Sequence, residues 1–211
     1  MLSKPMELVP NHHRGFVLAV SAPSGTGKTS LCDKLALEIP GVVRSISLTT
    51  RPQRDGEVSG RDYTFVSVEE FKKREAAGEL LETAEVFGNW YGTPRTPVVE
   101  AIRRGEVIVM DIDTVGALAI HQKMPEDTAL VYVFPPSFEE LEKRLRARGK
   151  NKPEELARRF QEASREIRES KAYHYFIPNV SFDRAYEDLK AVLQVEKLKS
   201  HRNSIPFLEK A

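Results

Sequence analysis

Apolar positions along the chain come in short unbroken runs separated by stretches with helical spacing. Phe16-Val17-Leu18-Ala19-Val20, Val107-Ile108-Val109-Met110 and residues 129–134 are the clearest runs. Runs of that length, bounded by polar or turn residues, predict strands buried on both faces, as in a parallel sheet. Ser30-Leu31-Cys32-Asp33-Lys34-Leu35-Ala36-Leu37 repeats its apolar positions at helical spacing until Ile39-Pro40-Gly41 breaks the pattern. Ser67 with Glu70, and Ser137 with Glu140, form capping boxes that predict helix starts, with closure near Gly78 and Gly149. Pro97 and Gly105 bracket a helix with Val98, Val99, Ala101 and Ile102 facing inward. Tyr175-Phe176-Ile177-Pro178-Asn179-Val180-Ser181 reads as the last strand, and Asp183-Arg184-Ala185-Tyr186 begins the last helix. Pro178 lacks the N–H that a central strand needs, which points to a strand end or edge.

Composition narrows this α/β reading. At 211 residues and 40% hydrophobic content the chain has room for one large domain with insertions and a real core. A net charge of +1, from 32 basic and 31 acidic residues, argues against a bulk polyanion such as nucleic acid as partner, so anion recognition has to be local. Cys32 is the single cysteine, suits a reducing compartment and falls where a small buried core residue is expected. No apolar run approaches the roughly 18 residues of a membrane span. The first dozen residues lack a signal-peptide core, so the expectation is a soluble, cytoplasmic protein without membrane contact. Residues 1–14, with Pro5 and Pro10, read as a flexible tail whose His12-His13 have no partner ligands at useful spacing.

The chemistry starts between the first strand and the first helix, at Ala22-Pro23-Ser24-Gly25-Thr26-Gly27-Lys28-Thr29-Ser30. Strand, glycine loop and helix in that order make a phosphate cradle: small residues let backbone N–H groups turn inward around an anion, and the helix N-terminus adds its positive end. Lys28 then reaches the β/γ-phosphates and the Thr29 hydroxyl meets Mg²⁺. Ala22 stands where the pattern usually has its first glycine. The run at Glu106-Val107-Ile108-Val109-Met110-Asp111 ends in acid, which is how a buried strand delivers a carboxylate to the ligand edge of a parallel sheet. Asp111 is therefore the candidate partner of Mg²⁺ through water; Asp113 stands where acids also commonly cap the next helix, here from Thr114.

A second motif follows the first helix: Ser45-Ile46-Ser47-Leu48-Thr49-Thr50-Arg51-Pro52-Gln53-Arg54, then Gly56-Glu57, Gly60, Asp62-Tyr63 and Phe65. Two arginines three residues apart offer planar donor forks suited to a phosphate. Glycine loop and second motif together make the chain similar to the guanylate kinases, P-loop nucleoside-monophosphate kinases that phosphorylate GMP with ATP and Mg²⁺. The resemblance spans about residues 15–193 and implies a parallel-sheet P-loop core with helices on both faces (15–46, 95–140 and 167–195), a small mostly β acceptor-binding insertion (47–94), a helical lid (141–166) and a C-terminal extension (196–211).

It also implies roles residue by residue. Ser47, Arg51, Arg54 and Tyr63 match positions that hold guanine and its 5′-phosphate; Glu82 answers the guanine N1–H and N2–H₂ donors; Thr93 supplies a hydroxyl, Tyr91 meets the phosphate and Asp113 is directed at the acceptor nucleotide. A carboxylate and a hydroxyl left unpaired by adenine support discrimination on the order of 10⁴. Arg144, Arg148 and Arg159 are the lid arginines expected at the ATP phosphates, with Lys28, Arg51, Arg148 and Arg159 serving transfer. Several of the arginines from Arg144 onward also sit four residues after a glutamate, where they make ordinary helix-face pairs. Asn179 matches a nucleotide-contacting position, although Val180 departs from the aspartate usual beside it. The implied reaction, ATP + GMP = ADP + GDP with dGMP as a further acceptor, needs no general base, because the attacking phosphate oxygen is already anionic. The alternatives are a catalytically inactive binding module, which would be expected to lack Lys28-Thr29 or the lid arginines, and a kinase for another monophosphate or a phosphorylated sugar.

Overall fold

A computed structural model describes residues 14–86, 88–147 and 153–203. Five strands form a wholly parallel sheet: β1 (Phe16–Ser21), β2 (Val42–Arg44), β7 (Val107–Asp111), β8 (Thr128–Phe134) and β9 (Tyr175–Pro178), in spatial order β2-β7-β1-β8-β9. The unbroken apolar runs are its three central strands. Side chains alternate across a strand, so β1 feeds two cores. Phe16, Leu18 and Val20 pack with Leu31 and Leu35 of α1 (Lys28–Glu38) and with Ala185, Leu189 and Leu193 of α7 (Phe182–Lys197). Val17 and Ala19 pack on the other face with Val98 and Ile102 of α3 (Arg95–Arg103) and with Ala117 and Ile120 of α4 (Thr114–Lys123). Cys32 lies buried in the first of these cores.

The second sheet is smaller and mixed, in the order β4-β3-β6-β5: β3 (Leu48–Thr49), β4 (Thr64–Phe65), β5 (Leu80–Val86) and β6 (Asn89–Pro94). Helix α2 (Val68–Ala76) covers it, opened by the Ser67 hydroxyl accepting from the Glu70 N–H at 3.1 Å. Buried Phe71 of α2 meets Trp90 with ring centroids 6.1 Å apart. A side chain at Gly92 would come within 2.9 Å of Leu80 and 3.1 Å of Phe71, so glycine there lets the helix sit down on the sheet. Helices α5 (Phe138–Ala147) and α6 (Pro153–Glu169) complete the chain order between β8 and β9. The Ser137 hydroxyl accepts from the Glu140 N–H at 3.1 Å, as its capping box predicts.

Three expectations shift. Strand β2, of only three residues, carries too short an apolar signal to announce itself. Helix α3 begins at Arg95, two residues before Pro97, which is tolerated in a first turn because N–H groups there have no intrahelical partner; Val99 is half-buried. The boundary drawn between 195 and 196 cuts α7, and the residues after it fold onto the core. Glu196 has no exposure and takes three donors: the Tyr175 hydroxyl at 2.6 Å, Lys199 at 2.7 Å and Arg202 at 2.8 Å. Arg202 also lies 4.1 Å over the Phe16 ring, and its carbonyl accepts the Arg14 N–H at 2.7 Å. Residue 14 and residues 196–203 thus belong to the folded unit. Pro178 ends β9, the outer strand, where its missing N–H costs nothing.

Arg202→Ala should lower stability by about 3 kcal/mol, because it strands part of a buried carboxylate. Urea denaturation checks this, and a loss under about 1 kcal/mol would mean that Lys199 and Tyr175 alone satisfy Glu196.

Candidate active site

The parallel strands end together, and the site is built at those ends. Gly25 and Gly27 hold φ of 91° and 92°, left-handed values open to glycine, and they turn the chain from β1 into α1. No side chain caps the start of α1, so its first N–H groups face the loop. Ala22 tucks into the core beneath, which accounts for a methyl group at the first loop position. Asn179 buttresses the loop from the side: its amide donates to the Thr26 carbonyl at 2.6 Å, while its own N–H is held by Phe134. It is buried and is not among the residues that line the cleft. Its amide N–H₂ therefore holds the loop.

Lys28 extends to β7. Its ammonium pairs with Asp111 Oδ1 at 2.7 Å and donates to the Ile112 carbonyl at 2.9 Å, while the Thr29 hydroxyl donates to Asp111 Oδ2 at 2.5 Å. Burial opposes both charges. Each is nonetheless held in its charged form by the other: the Lys28 pKa lies above its ordinary value and that of Asp111 below. Thr29 and Asp111 make a hard oxygen donor set that suits Mg²⁺ completed by water and phosphate. Among the described residues no three metal-ligating side chains cluster.

A cleft of about 360 Å³ runs from the loop to the second sheet, lined there by Ser47, Tyr63, Glu82 and Tyr91. Glu82 leaves β5 only 6% exposed, and its Oε1 accepts the Thr93 hydroxyl at 2.6 Å. Burial raises its pKa to about 7, with Asp113 adding to the rise and Thr93 and Lys123 opposing it. The other carboxylate oxygen lies against the first turn of α4, where a Cβ on Gly116 would stand 2.9 Å from it. Lys123, at the far end of α4, donates to the Leu81 carbonyl beside Glu82. Asp113 lines the cleft and caps α4 at once, its Oδ1 accepting the Gly116 N–H at 2.7 Å.

The two motif arginines lie off the cleft lining. Arg51 grips Glu57 with both ends of its fork, at 2.8 and 3.0 Å, and lies 5.4 Å over the Tyr63 ring. The same carboxylate accepts the Arg54 N–H at 2.8 Å, while Arg54 itself is exposed. Hydrogen bonding to Glu57 holds the Arg51 pKa above its usual value. Arg148 lies outside the described residues, as do the side chains of Arg144 and Arg159.

The third wall comes from α6, within the lid span 141–166, but at residues that the sequence did not single out. Glu162, Ala163 and Glu166 line the cleft opposite the loop. Burial raises the Glu166 pKa to about 7, against the pull of Lys28. Spacing of three and four residues is the only signal these positions carry, and it is shared by every solvated helix face. Behind them the Tyr173 hydroxyl donates to Ser21 Oγ at 2.7 Å and the Thr114 hydroxyl to Glu169 at 2.5 Å, tying α6 and the residues after it to the strand ends.

A family model described as guanylate kinase matches residues 14–196. The chain is 46% identical over 201 residues to a guanylate kinase of Symbiobacterium thermophilum, covering 95% of each, and 46% identical over 205 residues to that of Maricaulis maris, covering 97% of this chain and 93% of the relative. It is also similar to the crystal structure of guanylate kinase from Anaplasma phagocytophilum, with a TM-score of 0.75 and 33% identity over 90% of both chains.

Asn179→Ala should loosen the phosphate loop and cost about 1–2 kcal/mol of stability through the unpaired Thr26 carbonyl. Thermal denaturation checks the cost; an unchanged melting temperature would show that the loop holds itself.

Proposed function

This chain belongs to the guanylate kinase family, and from that premise we propose how its cleft takes up ATP and GMP and which residues carry the transfer. The activity is ATP-dependent phosphorylation of GMP. The observation that carries the residue assignment is one continuous cleft. It is lined at one end by the uncapped loop with Lys28 and Thr29 and at the other by buried Glu82 and the Ser47, Tyr63 and Tyr91 hydroxyls.

ATP phosphates lie in the loop of residues 22–30, on the backbone N–H groups that follow Pro23, with Lys28 moving from Asp111 to the β/γ-phosphates. Thr29, and Asp111 through water, would hold Mg²⁺, which would spread the charge of the phosphate oxygens. GMP lies in the insertion, residues 47–94. Ionised Glu82 accepts from guanine N1–H and N2–H₂; Thr93 keeps that carboxylate aimed, and Gly116 leaves room for it. Asp113 holds the α4 turn behind Glu82 and faces the acceptor. Arg51, Arg54, Tyr63 and Tyr91 take the 5′-phosphate, with Glu57 in the free protein satisfying the donors that the phosphate later meets. The lid, residues 141–166, brings Arg144, Arg148 and Arg159 to the transferring group.

The GMP phosphate oxygen attacks without a general base. The residues therefore act by holding two polyanions in line, excluding water and neutralising charge. Adenine would leave Glu82 facing a bare ring nitrogen, and an unpaired buried carboxylate is a large penalty.

Lys28→Ala should reduce GMP phosphorylation at least about 10³-fold while far-ultraviolet circular dichroism stays unchanged. A rate near wild type would refute the phosphate-loop assignment. Glu82 must be ionised to accept from guanine, and in the free protein its pKa is about 7. Hence kcat/KM for GMP should rise as pH rises through about 7 and then level off, whereas Glu82→Gln should lower it at all pH values. A profile flat from pH 6 to 8 would remove Glu82 from guanine recognition.

A further inference from the structure

The wall behind the cleft holds two polar groups that ought to be partnered and are not. Tyr132 of β8 is wholly buried, between Phe134 at 4.7 Å and Tyr173 at 5.3 Å between ring centroids, and among the described residues its hydroxyl has no hydrogen-bond partner. Its neighbours differ: the Tyr173 hydroxyl is used on Ser21, and the Thr114 hydroxyl on Glu169. An orphaned buried hydroxyl costs about 1–3 kcal/mol, so it needs a reason. One turn before Glu169 on α6 stands Glu166, which lines the cleft and makes no ion pair or hydrogen bond among the described residues. The charges that face it are Lys28 from α1, Asp113 from the start of α4, and Glu162 and Arg165 of its own helix. Of all charges, Glu166 is the one that most affects the Tyr132 phenol. Ile167, beside Glu166, packs into the same core cluster as Tyr132.

We propose that Tyr132 and Glu166 form a nucleotide-dependent pair: when a triphosphate occupies the loop, the Tyr132 hydroxyl donates to the Glu166 carboxylate and holds it away from the phosphates. The inference rests on the assignment of Lys28 to the phosphates. While Lys28 is tied to Asp111, it lies close enough to attract Glu166. Once Lys28 turns to a triphosphate, the same carboxylate faces several negative charges, and an orphaned donor waits in the wall behind it. Tyr132 and Glu166 are thus positioning residues for ATP, acting on where α6 sits and touching no reacting atom.

Four proteins test this: wild type, Tyr132→Phe, Glu166→Ala and the double variant. Tyr132→Phe removes one oxygen that has no partner, so the melting temperature without nucleotide should stay the same or rise. With saturating Mg²⁺-ATP its melting temperature should gain less than that of wild type. KM for ATP should rise about tenfold, the usual worth of a hydrogen bond to a charged group, with kcat within about twofold and KM for GMP unchanged. In the Glu166→Ala background the same substitution should change KM for ATP by less than about twofold, since the carboxylate to be held is gone. An equal effect of Tyr132→Phe in both backgrounds, or no effect on KM for ATP in either, would overturn the pair. Retained activity of Lys28→Ala would instead overturn the assignment on which it rests, so the two failures are distinguishable.

Discussion

The pairing of Lys28 with Asp111 joins the two ends on which the site depends. Lys28 is the first residue of α1, presented by a loop that only two left-handed glycines can close, and Asp111 is the last residue of β7. The pair is 2.7 Å long and mostly buried, and each charge survives burial because the other is there. Its position follows from sheet register: β1 lies beside β7 with Val20 opposite Asp111, and beside β8 with Ser21 opposite Tyr132. Loop, carboxylate and the α6-facing wall are therefore fixed relative to one another by the same three strands. That rigidity is what a reaction governed by alignment rather than by proton transfer requires.

The insertion reaches this frame through α4. Asp113 caps that helix, Gly116 in its first turn clears space for the Glu82 carboxylate, and Lys123 at its end holds the Leu81 carbonyl. One helix thus sets the position of the buried Glu82 carboxylate relative to the strand that carries Asp111. The separation of the phosphate loop from Glu82 is a property of the core, while the second sheet and its loops supply the Tyr63 and Tyr91 hydroxyls along the cleft.

The central strands, the phosphate loop and the capped helices were legible because they rest on local rules: unbroken apolar runs, glycines at a tight turn, a serine three residues before a glutamate. Glu82 was not legible on those terms. A glutamate in a polar stretch is ordinary until something shows that it is buried, and only the resemblance to guanylate kinases singled it out. The Asn179 amide donates to the Thr26 carbonyl, a bond between residues 153 positions apart that no local pattern announces. Glu196 and Arg202 read as part of a C-terminal extension, and Glu162 and Glu166 as unremarkable members of a lid helix. In both cases the deciding fact is a partner far away in sequence, and charged residues look alike until that partner is known.

The net charge of +1 takes on a different meaning once the pairs are placed. A protein that must hold two polyanions together could carry a standing positive field, at the cost of repulsion in its empty state. Here the key cations are instead stored against internal carboxylates: Lys28 on Asp111, and Arg51 on Glu57 in a bidentate grip. On the proposed assignment such storage keeps each side chain ordered, so less side-chain entropy is lost when a phosphate replaces the carboxylate. On that assignment each phosphate takes the place of a carboxylate, Asp111 at Lys28 and Glu57 at Arg51.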